Sequence, residues 1–402
     1  DDRVAELFVP VILIISLLTF FIWVFFGGID VVSHGLFAAL SVLVVACPCV
    51  VGLATPVALA AGLNKAARNH ILIRDTSALE QMRNVDVVVF DKTGTLTEGH
   101  PTVIGWLWAQ GQEEHYKDVL LAAESTSDHP LAEAIVTALE GEEQVIPAHL
   151  DGFENITGKG VRVAYQGAEY WVGSHKLLKD YQANLSDILA DMLTQYESDG
   201  NSIVYFGREN DLLAVIAIKD QLRVTSMEAI RELRIQDIEI CMLTGDGERT
   251  ASSVAGSLGI MRFVADAMPD DKEDFIHKLQ LQGKTVAMVG DGVNDAQALS
   301  CADVSIAMGK GTDTLMDTAM ITLRTSDLLL LPKVFRLSRQ TVSLMYRNLF
   351  WAFIYNTVGI FVAAGVLYPV YDILLSPALA GAAMALSCVS VALSSLRLSS
   401  RF

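Results

Sequence analysis

The chain has 402 residues, 52% of them hydrophobic, and a mean hydropathy of +0.40. That length holds two or three domains, and the composition is too apolar for an ordinary soluble protein. A formal net charge of −18 argues against a nucleic-acid partner, whose phosphates it would repel.

The apolar residues are gathered rather than spread. Residues Leu7–Phe26, Leu36–Leu63, Leu349–Tyr368 and Ile373–Leu396 contain no Asp, Glu, Lys or Arg. Each is long enough to cross a hydrocarbon layer of about 30 Å. Asp1 and Asp2 precede the first run and no small-residue cleavage site follows it, which speaks for a span and against a secretory signal. The second run holds VVACPCVVGLATP, Val44 to Pro56. Pro48 removes a backbone donor there and is expected to open the helix, leaving carbonyls free to face a pathway. Cys47 and Cys49 flank that break. A lone intramembrane cysteine is ordinarily a small apolar residue, but packing does not call for two around a proline. Thiolates favour soft metals such as Cu(I) and also bind Zn(II).

The acidic charge lies mostly between Arg74 and Lys333, as suits a water-exposed catalytic module. NVDVVVFDKTGTLTEG begins there as a β-branched strand with Asp91 at its tip. Residues from about Thr97 to Asp211 have a pattern of their own and are expected to form an inserted domain. Beyond them LLAVIAIKD, IEICMLTGD, TVAMVGDGVND and VSIAMG read as buried strands of a parallel sheet with amphipathic helices between. Asp91, Thr244-Gly245-Asp246 and Asp291 fall just after strand ends, the edge where open α/β sheets place ligands. A carboxylate such as Asp91 can attack a phosphoryl group, and Asp291 with Asp295 can hold Mg²⁺. Lys272 can neutralise phosphoryl oxygens, and Thr244 can hydrogen-bond them. No GxxxxGK[ST] is present, because Lys278 stands where the first glycine before Gly283-Lys284-Thr285 belongs, and no GxGxxG follows a strand. Phosphate chemistry would run through aspartate. The five cysteines suggest no disulfide framework, and no Cys/His zinc spacing occurs.

DKTGTLTEG, MLTGD and GDGVNDAQAL resemble the signature blocks of P-type ATPases, whose phosphorylation domain is haloacid-dehalogenase-like. The resemblance implies that Asp91 is the phosphorylated aspartate and that Asp291 is the main Mg²⁺ ligand, joined by Asp91 and Thr93. It gives further catalytic roles to Lys92, Thr93, Thr244, Gly245, Asp246, Lys272, Asn294 and Asp295. ESTSDHPLAEAI and TGKGV resemble the nucleotide-domain marks of the heavy-metal subgroup, which places ATP against Glu124, His129, Pro130, Gly158 and Gly160. Cys47-Pro48-Cys49 matches that subgroup's membrane metal motif and looks most like the copper branch. Tyr355, Asn356, Met384 and Ser387 line up with the same branch's metal path. Met384 and Cys388, four apart, share a helix face. Cys388 stands where the family usually has serine, and is read either as a third sulfur ligand or as a neutral replacement.

The implied architecture is multi-domain: transmembrane helices plus a haloacid-dehalogenase-like α/β phosphorylation domain carrying an inserted α+β nucleotide-binding domain. The expected division is 1–68 and 334–402 for two membrane helices each, 69–97 with 212–333 for phosphorylation, and 98–211 for nucleotide. Lys65, Arg68, Arg336, Arg339, Arg347, Arg397 and Arg401 flank one set of helix ends, whereas Gly27–His34 and Pro369–Asp372 carry no Lys or Arg. The positive-inside rule then puts the catalytic domains in the cytoplasm, with a bacterial plasma membrane expected. The implied function is ATP-driven export of Cu(I), with Ag(I) open, and with a copper chaperone or small-molecule carrier as donor. Alternatives are a Zn(II)- or Cd(II)-type pump, a membrane-tethered aspartate-dependent phosphatase, or a metal-binding membrane protein without activity. The chain lacks an initiator Met and the family's Thr-Gly-Glu, and is expected to be the later part of a pump, unable alone to complete the cycle.

Overall fold

The computed structural model describes residues 2–27, 32–47, 49–109, 113–127, 129–142, 145–183, 187–291, 295–309 and 318–400. They divide into two units, one of 1–69 with 334–402 and one of 70–333.

In the 70–333 unit, the short β-branched runs assemble a seven-stranded sheet. Its order is Ile71–Ile73, Ile321–Leu323, Val304–Met308, Val286–Gly290, Val87–Asp91, Glu239–Leu243 and Arg262–Val264. Only the first pairing is antiparallel. All five residues of Val87–Asp91 are buried, as expected where helices cover both faces of a parallel sheet. Ile276 and Leu279 of the Pro269–Leu281 helix and Ala298 and Leu299 of the Ala296–Cys301 helix pack on Val87, Val89 and Met288. Three neighbouring strands therefore end together, one at Asp91, one just before Thr244 and one just before Asp291.

A second sheet is antiparallel throughout, in the order Thr102–Trp108, Asp211–Lys219, Ser202–Arg208, Ala168–Gly173, Gly160–Tyr165 and Gly152–Ile156. Helices Glu113–Glu124 and Pro130–Glu140 cover one face, burying Leu120 and Ile135 against Val163, Phe206 and Ile216. Leu177, Leu178 and Leu193 pack on Trp171, Tyr205 and Val215 of the other. One strand corrects the reading from sequence. Asp211–Lys219, expected in the parallel sheet, pairs antiparallel with Thr102–Trp108 and Ser202–Arg208. With helices on both faces its inner seven residues are all buried, so it lacks the alternation that normally betrays an antiparallel strand.

The other unit is helical: Asp2–Gly27, Val32–Val45, Cys49–Arg68, the part of Leu330–Ala363 from Val334 onward, Tyr368–Tyr371 and Pro377–Ser400. Val9–Phe26 and Pro377–Leu396 are long and apolar enough to cross a membrane. The second expected span is two helices. The first ends at Val45, and Ala46 and Cys47 are non-helical before the chain re-enters a helix at Cys49. Pro48 itself lies outside the described residues. Leu13, Ile14, Leu17, Phe21, Leu386 and Leu393 are exposed, an outer surface suited to hydrocarbon. Three inner polar groups are satisfied locally. Ser16 Oγ donates to Ala39 O at 2.9 Å, Ser41 Oγ to Leu375 O at 2.7 Å, and Trp23 Nε1 to Ala364 O at 3.0 Å, as backbone and side chains must be away from water.

Candidate active site

Asp91 is buried at the tip of its strand, and Lys272 Nζ lies 2.6 Å from both Asp91 Oδ1 and Asp295 Oδ1. Lys272 comes from the first turn of the Pro269–Leu281 helix, and Asp295 immediately precedes the Ala296–Cys301 helix. Carboxylate oxygens of Asp91, Asp291 and Asp295 all fall within 4.8 Å of one another. Burial, then the charges of Asp91 and Asp295, push Asp291 up to about 7. Burial and Asp91 do the same to Asp295, also to about 7, against the pull of Lys272. Desolvation works to lower Lys272, but the two carboxylates hold it above the ordinary lysine value. The three carboxyl groups crowd one another around Lys272, and this all-oxygen donor set fits Mg²⁺.

The turn after Asp91 is built around this cluster. Gly94 has φ +69°, and a Cβ there would stand 1.4 Å from Asp291 Oδ2, so only glycine lets the acid come so close. The Gly94 N–H donates to Thr97 Oγ1 at 2.9 Å, and that hydroxyl meets the Asp220 carboxylate. The Gly99 N–H donates to Asp220 Oδ1 at 3.1 Å. Arg223 donates from Nε to Thr95 O at 2.9 Å and from its terminal nitrogen to Gly94 O. Asp220 and Arg223 thus hold the loop that sets Asp91, a role that sequence reasoning missed. The Leu222–Arg223 stretch carries no motif, though the isolated bridge of Thr97 to Leu222 brings it to the loop.

Thr244 and Asp246 reach the site in a form not anticipated. Lys92 Nζ pairs with the Asp246 carboxylate and donates to Ser202 Oγ at 3.0 Å, and Thr244 Oγ1 lies 3.1 Å from Asp246 Oδ2. Burial opposes ionisation of Asp246, but Lys92 holds it below the usual carboxylate range. Lys92 is therefore committed to a buried pair with Asp246, and its bond to Ser202 ties the loop after Asp91 to a strand of the second sheet. Thr93 is partly exposed and extended, with ψ 131°. Gly245 follows Thr244 at the same strand end. Asn294 lies outside the described residues.

In the second sheet's domain, Glu124 is buried at the end of its helix, and desolvation raises its pKa to about 7. His129 caps the next helix: its Nδ1 accepts the Leu131 N–H at 3.2 Å, and Pro130 takes the first helical position. The imidazole reaches solvent, yet burial is the main influence and lowers its pKa, with Lys92 and Lys272 acting in the same sense and Asp246 and Asp91 against it. Gly160 is required by the sheet, since a Cβ would meet Val172 O at 2.1 Å, and at Gly158 one would meet Met268 Cε at 2.5 Å. The Glu124 shift has a testable sign. An acid whose folded pKa exceeds its unfolded value stabilises the fold fully below about pH 4.5 and loses that contribution as pH rises through 7. Glu124→Gln, which cannot ionise, is expected to match the wild type near pH 4 and exceed it by about 3 kcal/mol above pH 8. Denaturant unfolding at the two pH values checks this, and a gap of equal size at both would contradict it.

In the helical unit, Asn356 and Ser387 are buried, and neither Asn356 Nδ2, Asn356 Oδ1 nor Ser387 Oγ has a hydrogen-bond partner among the described residues. Buried polar atoms without partners are rare in folded proteins and mark sites awaiting something else. Met384 packs with the cluster around Val42 and Val45 and with that around Val50 and Ala54, where Cys388 also packs. Tyr355 is half exposed, and its ring lies against Trp351, 6.2 Å between centroids. Adjacent helix positions point about 100° apart, so burying Asn356 turns Tyr355 outward. Cys47 is disulfide-bonded in this structure, so a metal-binding thiolate there requires the reduced form. The side chain of Cys49 lies outside the described residues.

The family profile of haloacid dehalogenase-like hydrolases matches residues 85–303, more than half of the chain. The chain belongs to this family. Beyond the haloacid dehalogenase-like core, it is 43% identical over 397 residues to a copper-exporting P-type ATPase of Legionella pneumophila, covering 99% of this chain and 54% of that protein. It is 44% identical over 402 residues to a silver exporting P-type ATPase of Salmonella typhimurium, covering 99% and 48%. A crystal structure of a zinc-transporting PIB-type ATPase in its E2.Pi state superposes with a TM-score of 0.70 at 32% identity, covering 99% of this chain and 63% of that one. The chain spans about half the length of these curated relatives. The fold expected from sequence, a haloacid dehalogenase-like domain with an inserted domain and membrane helices, is the fold found.

Proposed function

We propose that the chain is the catalytic and membrane core of a P-type ATPase that exports Cu(I). One observation supports the chemistry above all: a buried Asp91 held at 2.6 Å by Lys272 at the end of a central strand, facing Asp291 and Asp295. In the proposed reaction ATP lies between the Glu124–Gly160 side of the inserted domain and this cluster. The Asp91 carboxylate attacks the γ-phosphorus, the bond to the β–γ bridging oxygen breaks, ADP leaves, and an acyl phosphate remains. Lys272 holds one Asp91 oxygen in place and offers its charge to the phosphoryl oxygens. The Asp220–Arg223 clamp fixes the loop behind the nucleophile. Mg²⁺, held by Asp91, Asp291 and Thr93, would neutralise phosphoryl charge when bound.

The cargo reading rests on Met384 and Ser387, three apart on the Pro377–Ser400 helix, and on the buried Asn356, with reduced Cys47 and Cys49 as the sulfur pair, a set that suits a soft monovalent ion. The unit is embedded in a lipid bilayer. The further details proposed are a bacterial plasma membrane, catalytic domains on the cytoplasmic side, and delivery of copper by a chaperone or small-molecule carrier. The division proposed follows the expected boundaries, with the inserted domain extended to Lys219.

The test is ATPase stimulation of the full-length protein under reducing conditions by Cu(I), Ag(I), Zn(II) and Cd(II) in parallel. Cu(I) is expected to stimulate, Ag(I) to follow, and Cys47→Ser to remove the response while leaving phosphorylation by inorganic phosphate intact. Stimulation by Zn(II) and Cd(II) alone would replace this cargo assignment with the zinc-type one.

A further inference from the structure

Away from Asp91, three ligand-bearing side chains meet at the side of the phosphorylation domain. Glu273 and His277 are one turn apart on the Pro269–Leu281 helix, and Cys301 ends the Ala296–Cys301 helix. Glu273 Oε1 lies 3.4 Å from Cys301 Sγ and 3.5 Å from His277 Nε2, and the three atoms all fall within 4.8 Å of one another. Around a tetrahedral zinc with oxygen and nitrogen at about 2.0 Å and sulfur at about 2.3 Å, neighbouring ligand atoms are roughly 3.3–3.5 Å apart. Two of the three edges of such a site are thus already at coordination length.

Gln280 supports the arrangement from both sides. Its Oε1 lies 3.1 Å from His277 Nδ1, and its Nε2 donates to the Cys301 carbonyl at 2.8 Å. With Nδ1–H donating to Gln280, the Nε2 lone pair of a neutral His277 is left toward Glu273 and Cys301, the arrangement in which a metal-binding imidazole is normally held. Cys301 and Glu273 are partly buried and His277 is exposed, so an ion can enter from solvent without opening the fold. One carboxylate, one imidazole and one thiolate match a borderline divalent ion. An all-oxygen set would suit Mg²⁺, and an all-sulfur set Cu(I).

The geometry points to a Zn(II) site formed by Glu273, His277 and Cys301, with a fourth position open to water. It is separate from the Asp91 cluster and the membrane thiols and does not depend on which ion is transported. No zinc spacing is visible in the sequence because the ligands come from two helices and Cys301 is 24 residues beyond His277. Bound zinc would fasten the helix carrying Lys272 to the helix that follows Asp295.

The test uses the full chain with Cys47→Ser and Cys49→Ser, reduced, and with excess Mg²⁺ to occupy the acidic cluster. Zinc is titrated against a chromophoric chelator, and Co(II) serves as the spectroscopic probe. One equivalent of zinc and a thiolate-to-cobalt charge-transfer band are expected. Cys301→Ser should abolish the band, and either Cys301→Ser or His277→Ala should weaken zinc binding by at least about tenfold. His277 is exposed, so that variant tests the site even if the cysteine change disturbs the helix. Absence of zinc binding, a cobalt spectrum without the thiolate band, or affinity unchanged in both variants would overturn the assignment.

Discussion

Asp91→Asn is expected to reduce acid-stable labelling from γ-labelled ATP to background while the protein stays folded. An amide is not a nucleophile toward phosphorus, and removing a covalent nucleophile can cost on the order of 10⁶ in rate. The fold should tolerate the change because Lys272 keeps its 2.6 Å bond to Asp295. The substitution also removes a charge that raises both Asp291 and Asp295, so the variant should melt no lower than the wild type near neutral pH. ATP binding should survive, since the inserted domain is untouched. Labelling that persists in a folded, ATP-binding variant would move the phosphorylation site to another residue.

Lys272→Met should be damaging in a different way. Its ammonium is buried between Asp91 and Asp295 at 2.6 Å from each, and methionine keeps the stem while removing the charge. Breaking a buried pair by deleting one partner costs about 3–5 kcal/mol. The cost should depend on pH. Asp291 and Asp295 already stand near 7, and losing the Lys272 ammonium raises Asp295 further. An acid raised above its unfolded pKa contributes stability at low pH that is lost as pH rises through the folded value. The deficit of Lys272→Met should therefore be small near pH 4, greatest above pH 8, and reduced by Mg²⁺. Melting curves across that range, with and without Mg²⁺, check this. A deficit independent of both pH and Mg²⁺ would show that lost packing, not uncompensated charge, is the cause. Phosphorylation should fall as well, as the nucleophile loses the group that fixes Oδ1.

Much of this site is legible in the sequence because its parts are local. Asp91, Thr244 and Asp291 each follow a β-branched run by position alone, and strands buried on both faces read as continuous apolar segments. The helix break at Cys47 follows from the proline beside it. Other parts were not legible for equally physical reasons. Asp220 and Arg223 act through backbone carbonyls and amides of a loop more than 120 residues earlier, and backbone recognition leaves no side-chain signature there. The Lys92–Asp246–Ser202 contact joins residues from both sheets, with neither Lys92 nor Ser202 distinctive alone. Tyr355 and Asn356 read as one pair, yet helix geometry sends them in different directions.

The sequence by itself determined the chemistry this protein can perform and the order of its elements, because residue type and hydrophobic period are one-dimensional properties. It set Asp91 as a strand-end carboxylate, the acidic pair after Gly290, and the apolar runs around the paired cysteines. Only the tertiary structure decided which strand joins which sheet, since Asp211–Lys219 is equally apolar in either. It alone gave Lys272 to Asp91 rather than to solvent, left Asn356 and Ser387 buried without partners among the described residues, and brought Cys301 to Glu273 and His277. These are long-range contacts, fixed by how the sheet and its helices pack, and no local pattern of residues encodes the distance between them.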